Sequence, residues 1–394
     1  MLKEDVFIVG AARTAVGSFL GMYSKTPAPV LGTTAIEAAL ERSNLAPTDV
    51  EEVFMGCVLT GGQGQAPARQ ASLKADIPTS VPCTTVGKVC GSGAQSIILG
   101  ARVLALGERD IVVAGGMENM TMAPYAMPKG RTGYRMGPGK VVDEMVHDGL
   151  WDPYGDQHMG MFAEQCAEKY GFTREAQDEF AVTSYERALA AIESGRFEDE
   201  IAPVVIKDRK KGEVELAVDE EPRKFNKEKM LKLRPAFKKD GTVTAGNASS
   251  INDGGAAVVL ASARAVKERN LTPIARIVGW AGHAQDPSWF TTAPVYAMKK
   301  NLEGCGMQAG DIDLWEINEA FAVVTMAGMK ELSLDHSIVN VNGSGCSIGH
   351  PIGCTGARLM VTLLYAMKDR DAGKGLATMC IGGGEALSTI VERV

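Results

Sequence analysis

The sequence predicts an α/β fold built from two similar halves flanking a dissimilar middle segment. Three observations carry this expectation. Short aliphatic, β-branched runs alternate with longer stretches of helical apolar spacing, as in α/β proteins. Segments near the start of the chain reappear in the same order about 262 residues later. Residues 121–247 have no counterpart in that repeat.

Val6-Phe7-Ile8-Val9-Gly10 and Asp110-Ile111-Val112-Val113-Ala114 read as strands, because continuous apolar runs of this length suit a sheet buried on both faces. Apolar spacing places helices at about 29–43, 91–106, 174–193, 293–304 and 351–367. The repeat runs through these elements. Ala28-Pro29-Val30 leads into a helix through Leu40 and then Leu45-Ala46-Pro47-Thr48-Asp49-Val50. Ala293-Pro294-Val295 leads into a helix through Leu302 and then Met307-Gln308-Ala309-Gly310-Asp311-Ile312. Farther on, Ser92-Gly93-Ala94 is matched by Thr355-Gly356-Ala357. An apolar helix and a basic-acidic turn follow in both copies, Arg109-Asp110 in one and Arg370-Asp371 in the other. Each copy is then expected to enter a strand ending in glycines, at Gly115-Gly116-Met117-Glu118 and Gly382-Gly383-Gly384-Glu385. The expected division is residues 1–120 with 248–270 as the first half, 121–247 as an insertion and 271–394 as the second half. Cys90 and His350 then occupy nearly equivalent loop-to-helix junctions, which a pseudo-twofold fold would bring to one site.

A chain of 394 residues is long enough for two or three domains and an enclosed site. Its formal charge of −7 argues against general nucleic-acid binding, which needs a basic surface to displace counterions. A local basic site for a phosphorylated ligand stays compatible with that charge. The N-terminal residues show no signal-peptide pattern, and no apolar run reaches membrane-spanning length, so a cytoplasmic protein without membrane association is expected. The eight cysteines form no Cys-x-x-Cys pair and no finger-like spacing, so neither a metal site nor a disulfide framework is expected.

Cys90 lies in Val86-Gly87-Lys88-Val89-Cys90-Gly91-Ser92-Gly93-Ala94, where a strand gives way to a helix. The helix dipole at such a junction is expected to lower the thiol pKa, and Gly91 and Gly93 to leave room for a substrate. A small buried core cysteine is the alternative. His350 lies in Gly349-His350-Pro351-Ile352-Gly353, on a turn stiffened by proline, as suits a general base. Cys380 ends an apolar strand before Ile381-Gly382-Gly383-Gly384, whose N–H groups could form an oxyanion nest; a glycine-rich bend with a core cysteine reads as well. Asn318 and Glu319 follow the strand-like Leu314-Trp315-Glu316-Ile317. Two polar side chains there need buried partners, unless Asn318 caps the next helix.

Together, Cys-Gly-Ser-Gly at 90–93, Asn-Glu-Ala-Phe-Ala at 318–322, Gly-His-Pro-Ile-Gly at 349–353 and Cys-Ile-Gly-Gly-Gly at 380–384 closely resemble the thiolase family. The resemblance runs the length of the chain. It implies the thiolase fold, two duplicated α/β halves in a five-layer αβαβα arrangement with an inserted α+β loop domain. It also implies an acyltransferase that condenses two acetyl-CoA to acetoacetyl-CoA and CoA, or cleaves 3-oxoacyl-CoA, through an acyl-cysteine. Cys90 would be the nucleophile, His350 its base, and Cys380 the acid/base toward the substrate α-carbon. One oxyanion hole would use His350 and a water held by Asn318; the other would use the N–H groups of Cys90 and Gly382.

The same resemblance makes the insertion a coenzyme A site. Gln157-His158-Met159-Gly160 matches the motif bordering the pantetheine arm, and Leu233-Arg234-Pro235-Ala236-Phe237 and Thr244-Ala245-Gly246-Asn247-Ala248-Ser249 match segments lining its tunnel. His158, Met159, Phe237, Ala245, Ser249 and Phe321 are carried over as contacts, with Arg223 on the adenine side. By charge alone, Lys207-Asp208-Arg209-Lys210-Lys211 and Arg223-Lys224 read as solvated surface. No cofactor is implied, since coenzyme A is substrate or product, and a homotetramer is implied, with 129–140 as a contact loop. Gly87, Cys346, Cys354 and Glu385 depart from the family's usual residues, raising the prospect of two extra thiols beside His350. Trp289-Phe290 falls near the family's acyl pocket, where bulk would favour short chains, although core packing explains it equally. A 3-oxoacyl-carrier-protein synthase-like enzyme and a noncatalytic acyl-CoA or lipid carrier on the same fold are the rival readings.

Overall fold

The computed structural model describes residues 4–208 and 212–394; Met1, Leu2, Lys3, Arg209, Lys210 and Lys211 lie outside the described residues. The first half contributes strands β1 (Val6–Thr14), β2 (Glu52–Gly56), β3 (Cys83–Val86), β4 (Ile111–Asn119) and β5 (Asn252–Ser262). The second contributes β6 (Ala275–Ala284), β7 (Leu314–Ile317), β8 (Lys374–Ile381) and β9 (Glu385–Arg393). Their spatial order is β3-β2-β4-β5-β1-β6-β9-β8-β7. Read outward from the β1–β6 junction, the two halves carry corresponding strands in the same order. A parallel bridge from Trp315 to Val339 stands where β3 would be in the second copy. The halves share a short antiparallel pairing of Val6–Ile8 with Ala275–Ile277.

The helices complete the layers. α1 (Ala28–Arg42) and its counterpart α5 (Ala293–Gly304) pack on the outer faces of the two half-sheets, while α2 (Ser92–Ala105) and α7 (Ile352–Asp369) pack against each other between them. This is the expected five-layer arrangement. α3 (Met159–Tyr170) and α4 (Arg174–Glu193) both pack against α6 (Ala322–Leu332). Prolines in the first turns of α1 and α5 suit helix starts, where a missing N–H costs nothing.

The crossing of α2 and α7 is unusually close because glycine permits it. A Cβ on Gly93 would lie 2.8 Å from the Ala357 nitrogen, and one on Gly356 would lie 2.4 Å from the Ala94 nitrogen. Each copy of the Gly-Ala pair therefore packs on the other across the pseudo-twofold axis. Both helices start two residues after the residue of interest, at Ser92 after Cys90 and at Ile352 after His350.

The glycine-ended strands differ from expectation. Gly115-Gly116-Met117-Glu118 lies inside β4, whereas Gly382–Gly384 forms a turn between β8 and β9. Close packing is the reason: a Cβ on Gly115 would meet Ala256 O at 2.2 Å, and one on Gly116 would meet Gly353 O at 2.2 Å. Gly383 and Gly384, by contrast, have φ of 90° and 85°, a region that favours glycine.

The middle segment is fastened to the first half. Ile201 and Ala202 pair in parallel with Arg13 and Thr14 of β1. The fully buried Arg13 guanidinium contacts Glu200 at 2.5 Å and Asp219 at 2.7 Å, so its charge is paired on two sides.

Candidate active site

A cavity of about 540 Å³ opens where the N-termini of α2 and α7 converge, and Cys90, His350, Cys380 and Gly382 all line it. The backbone presents Cys90 from a sharp turn. Ser92 Oγ accepts from the Lys88 N–H at 2.8 Å and donates to Val89 O at 2.7 Å, closing the loop. Val89 is driven to φ 44°, a costly conformation for a β-branched residue. The N–H groups of Gly382 and of Cys90 itself lie near enough to the Cys90 sulfur to favour its thiolate.

Those donors and the helix N-terminus do not lower the thiol pKa, as the sequence suggested. Burial pushes the Cys90 thiol up to about 11 and outweighs the two N–H groups that favour the thiolate. Cys90 is therefore a thiol at rest and needs a base when it reacts. The space beside Gly91 and Gly93 also serves another purpose than substrate approach. A Cβ on Gly91 would collide with Ile381 Cδ1 at 2.3 Å, so both glycines admit the opposite half of the fold.

His350 is 5% exposed, and its backbone N–H donates to Asn252 Oδ1 at 2.9 Å. Gly349 before it has φ 114°, and a Cβ there would lie 2.4 Å from Asn252, so the turn demands glycine. The ring's Nδ1 is 2.6 Å from Thr355 Oγ1, while Nε2 has no protein partner. Burial, with the nearby Arg358 charge, brings the imidazole pKa down to about 3, so the ring is neutral.

Cys380 is 1% exposed, and burial together with its neighbour Cys90 raises its pKa well above the ordinary thiol value. The two sulfurs are thus close enough that charge on one opposes charge on the other. Asn318 is fully buried, yet neither its amide oxygen nor its nitrogen has a protein partner. Such an amide is what a bound water or a substrate oxygen would satisfy. It does not cap the next helix, because α6 begins at Ala322 with Phe321 in the cap position. Glu319 instead accepts from Ser184 Oγ at 2.7 Å, Asn340 Nδ2 at 2.8 Å and the Cys346 N–H at 3.0 Å.

The insertion supplies the outer cavity wall. His158 caps α3, accepting from the Gly160 N–H at 3.1 Å, and stacks on Phe237 with ring centroids 4.7 Å apart. Burial lowers the His158 pKa. Met159, Phe237, Ala245, Ser249 and Phe321 line the same cavity, and Phe290 joins them through an edge-on contact with Phe321. Trp289 does not line it and lies under Lys169 instead. Arg223 is exposed and stands outside the lining, whereas its neighbours Glu221 and Lys224 face the cavity. Neither Cys346 nor Cys354 reaches the cavity; both are packed core residues whose thiols burial holds up.

Sequence reasoning missed several wall residues, including Met120, Leu150, Ile251 and Ile352, since an apolar residue facing a cavity looks like any core residue. It also missed Glu118, a buried carboxylate raised to about 7 by burial. Glu118 accepts from the Val58, Leu59 and Gly353 N–H groups at 3.0, 3.2 and 2.9 Å, tying the turn after β2 to the start of α7.

Residues 6–264 match the family described as thiolase, N-terminal domain, and residues 271–393 match thiolase, C-terminal domain. The chain belongs to the thiolase family. An acetyl-CoA acetyltransferase of Pseudomonas aeruginosa is 51% identical to it over 391 residues, covering 99% of this chain and 100% of the relative. An acetyl-CoA acetyltransferase of Cupriavidus necator is 52% identical over 390 residues, 99% of each chain. The crystal structure of the Bacillus anthracis acetyl-CoA acetyltransferase matches this thiolase with a TM-score of 0.97 at 43% identity, over 99% of both chains. In thiolase terms, Gly87 faces open space, and Glu385 forms an ion pair with Lys88 that links the segment before Cys90 to the segment after the glycine turn.

Proposed function

We propose that this thiolase transfers acetyl groups between coenzyme A thioesters, condensing two acetyl-CoA to acetoacetyl-CoA and CoA and catalysing the reverse cleavage. The observation that carries this reading is the convergence of two thiols and a neutral histidine in one cavity, with backbone N–H groups near enough to one of the sulfurs to favour its thiolate. Cys90 attacks the thioester carbonyl and His350 takes its proton, which passes to the departing coenzyme A sulfur. Cys380 then gives its own proton to the emptied His350, and the thiolate so formed removes an α-proton from the second acetyl-CoA, whose carbanion attacks the acetyl group on Cys90. Collapse of the adduct releases the Cys90 thiolate, which takes up the proton held by His350, so that both thiols and the neutral ring are restored. Charge on the acyl oxygen is met by the Cys90 and Gly382 N–H groups. Charge on the attacking thioester is met by His350 and a water held by Asn318. The bases used are one buried thiol and a buried imidazole, so the reaction depends on substrate closing the site before charge forms.

His158, Met159, Phe237, Ala245, Ser249 and Phe321 would hold the pantetheine arm, since apolar and aromatic walls suit a thin, largely uncharged chain. The adenine end would meet Arg223 at the rim. Coenzyme A and its acyl esters are the partners of this reading, with no resident cofactor or metal and neither nucleic acid nor membrane. A cytoplasmic setting belongs to the same reading, and no helix among the described residues is long and apolar enough to cross a membrane. The proposed division is 1–120 with 248–270, then 121–247, then 271–394, supported by the shared strand order of the flanking halves. A homotetramer is supported by the exposed Tyr125, Met127 and Met136 around the proposed contact loop, apolar surface that assembly would cover.

A synthase acting on carrier-protein thioesters or a noncatalytic carrier is a poorer account, because neither needs a second thiol facing the first. The test is brief incubation with acetyl-CoA followed by peptide mass analysis. An acetyl group on the Cys90 peptide is expected, and its absence would end the covalent mechanism.

A further inference from the structure

We propose that Thr355 is the positioning residue for His350, its hydroxyl accepting from Nδ1–H so that the lone pair of the neutral ring sits on Nε2, facing Cys90. This rests on the reading in which His350 takes the Cys90 proton.

The argument is one of hydrogen-bond accounting. A neutral imidazole has one donor and one acceptor, and its hydrogen-bond partners decide which nitrogen holds the proton. Thr355 Oγ1 lies 2.6 Å from His350 Nδ1 and 2.9 Å from Pro351 O. The hydroxyl has a single hydrogen. A threonine in the first turn of a helix readily donates to the carbonyl four residues back, here Pro351. Its oxygen then faces Nδ1 as an acceptor, and Nδ1 must carry the proton. The opposite end of the ring agrees. Nε2 lacks a protein partner, and His350 lines a cavity shared with two thiols. Burial keeps both thiols protonated, so each is a donor and what they require of Nε2 is a lone pair.

Thr355 is fully buried, as is the start of α7, so the contact is made away from solvent. The partner is also a neutral hydroxyl rather than a carboxylate. It orients the ring while stabilising imidazolium less than a carboxylate would, which fits a base that must pass its proton on to the coenzyme A sulfur. The balance is simple. The Cys90 S–H bond breaks, Nε2 gains that proton while Nδ1–H stays on Thr355, and Nε2 returns to its bare state when the leaving thiolate is protonated.

The test uses the full-length protein labelled with 15N-histidine, with the His350 signals identified by their loss in His350→Asn. At pH 7 the expected ring is neutral with its proton on Nδ1; a proton on Nε2, or a cationic ring, would overturn the proposal. Thr355→Val should lower kcat about 10–100-fold with KM within about twofold, as loss of a partner orienting a functional histidine does. Thr355→Ser, which keeps the hydroxyl, should restore kcat to within about threefold. Unchanged kcat in Thr355→Val, or equal loss in Thr355→Ser, would assign the position to packing alone. If Thr355→Val does not fold, the wild-type spectrum and Thr355→Ser still decide. Should His350→Asn acetylate Cys90 at the native rate, the functional reading fails, while the spectrum still judges the Thr355 contact.

Discussion

The N–H of Gly382 lies near enough to the sulfur of Cys90 to favour its thiolate, across the junction between the two halves of the fold. The donor comes from the turn after β8 and the sulfur from the turn before α2, so neither half contains the pair alone. Replacing Gly382 by proline removes this N–H. Steady-state kinetics should show kcat reduced about 10²–10³-fold, the usual cost of one oxyanion donor. Gly382→Ala is the control: its Cβ would meet Val89 and Met159 at 3.4 and 3.7 Å, ordinary contact, so activity should stay near wild type. A proline variant as active as the alanine one would remove Gly382 from the mechanism.

Cys380→Ser tests the division of labour between the thiols. A serine hydroxyl is far less acidic than a thiol, so it cannot take the α-proton at a useful rate. The variant is expected to acetylate Cys90 normally, seen by peptide mass, and to lose formation and cleavage of acetoacetyl-CoA. Condensation at the native rate would make Cys380 a core residue.

Gly356→Ala tests the helix crossing. Its methyl would fall 2.4 Å from the Ala94 backbone nitrogen, where no flexible side chain can yield. Overpacking of this kind costs about 1–3 kcal/mol. Urea unfolding should show that loss, with an activity loss beyond it, because the same crossing sets His350 opposite Cys90. A variant as stable as wild type would show that the helices can separate freely.

His336 offers a pH test away from the site. Its ring stacks on Phe180 at 4.7 Å, and burial, aided by the Arg187 charge, lowers its pKa to about 4. The unfolded chain takes up this proton near pH 6.5, which the folded chain refuses until about 4. The contribution is therefore present above pH 6.5 and is lost as pH falls toward 4. His336→Phe keeps the stack without the proton. Measured by denaturant midpoint, wild type should lose stability relative to the variant between pH 7 and 4.5. A constant difference across that range would refute the assignment.

Much of this was legible in one dimension. The helix expected at about 91–106 forms over Ser92–Ala105, and that at 293–304 forms over those same residues, because buried helices repeat their apolar faces every three or four positions. The repeat was readable too, since each half must build the same strand order from the same local signals. Cys90, His350 and Cys380 stood out because small residues around a reactive side chain are a local pattern.

Contacts between segments distant in the chain were not legible. Gly91 and Gly116 look like loop or strand-end glycines until Ile381 and Gly353 arrive against them. The Cys90 pKa followed burial rather than the helix dipole, and burial is a property of the assembled fold. The resemblance carries over Arg223, yet Lys224 is the residue of that turn that lines the cavity. The sequence by itself determined the elements, their duplication and the chemical groups, because those depend on neighbours along the chain. Only the tertiary structure decided that His350, Cys380 and Gly382 share one cavity with Cys90, because those segments meet only when the two halves pack.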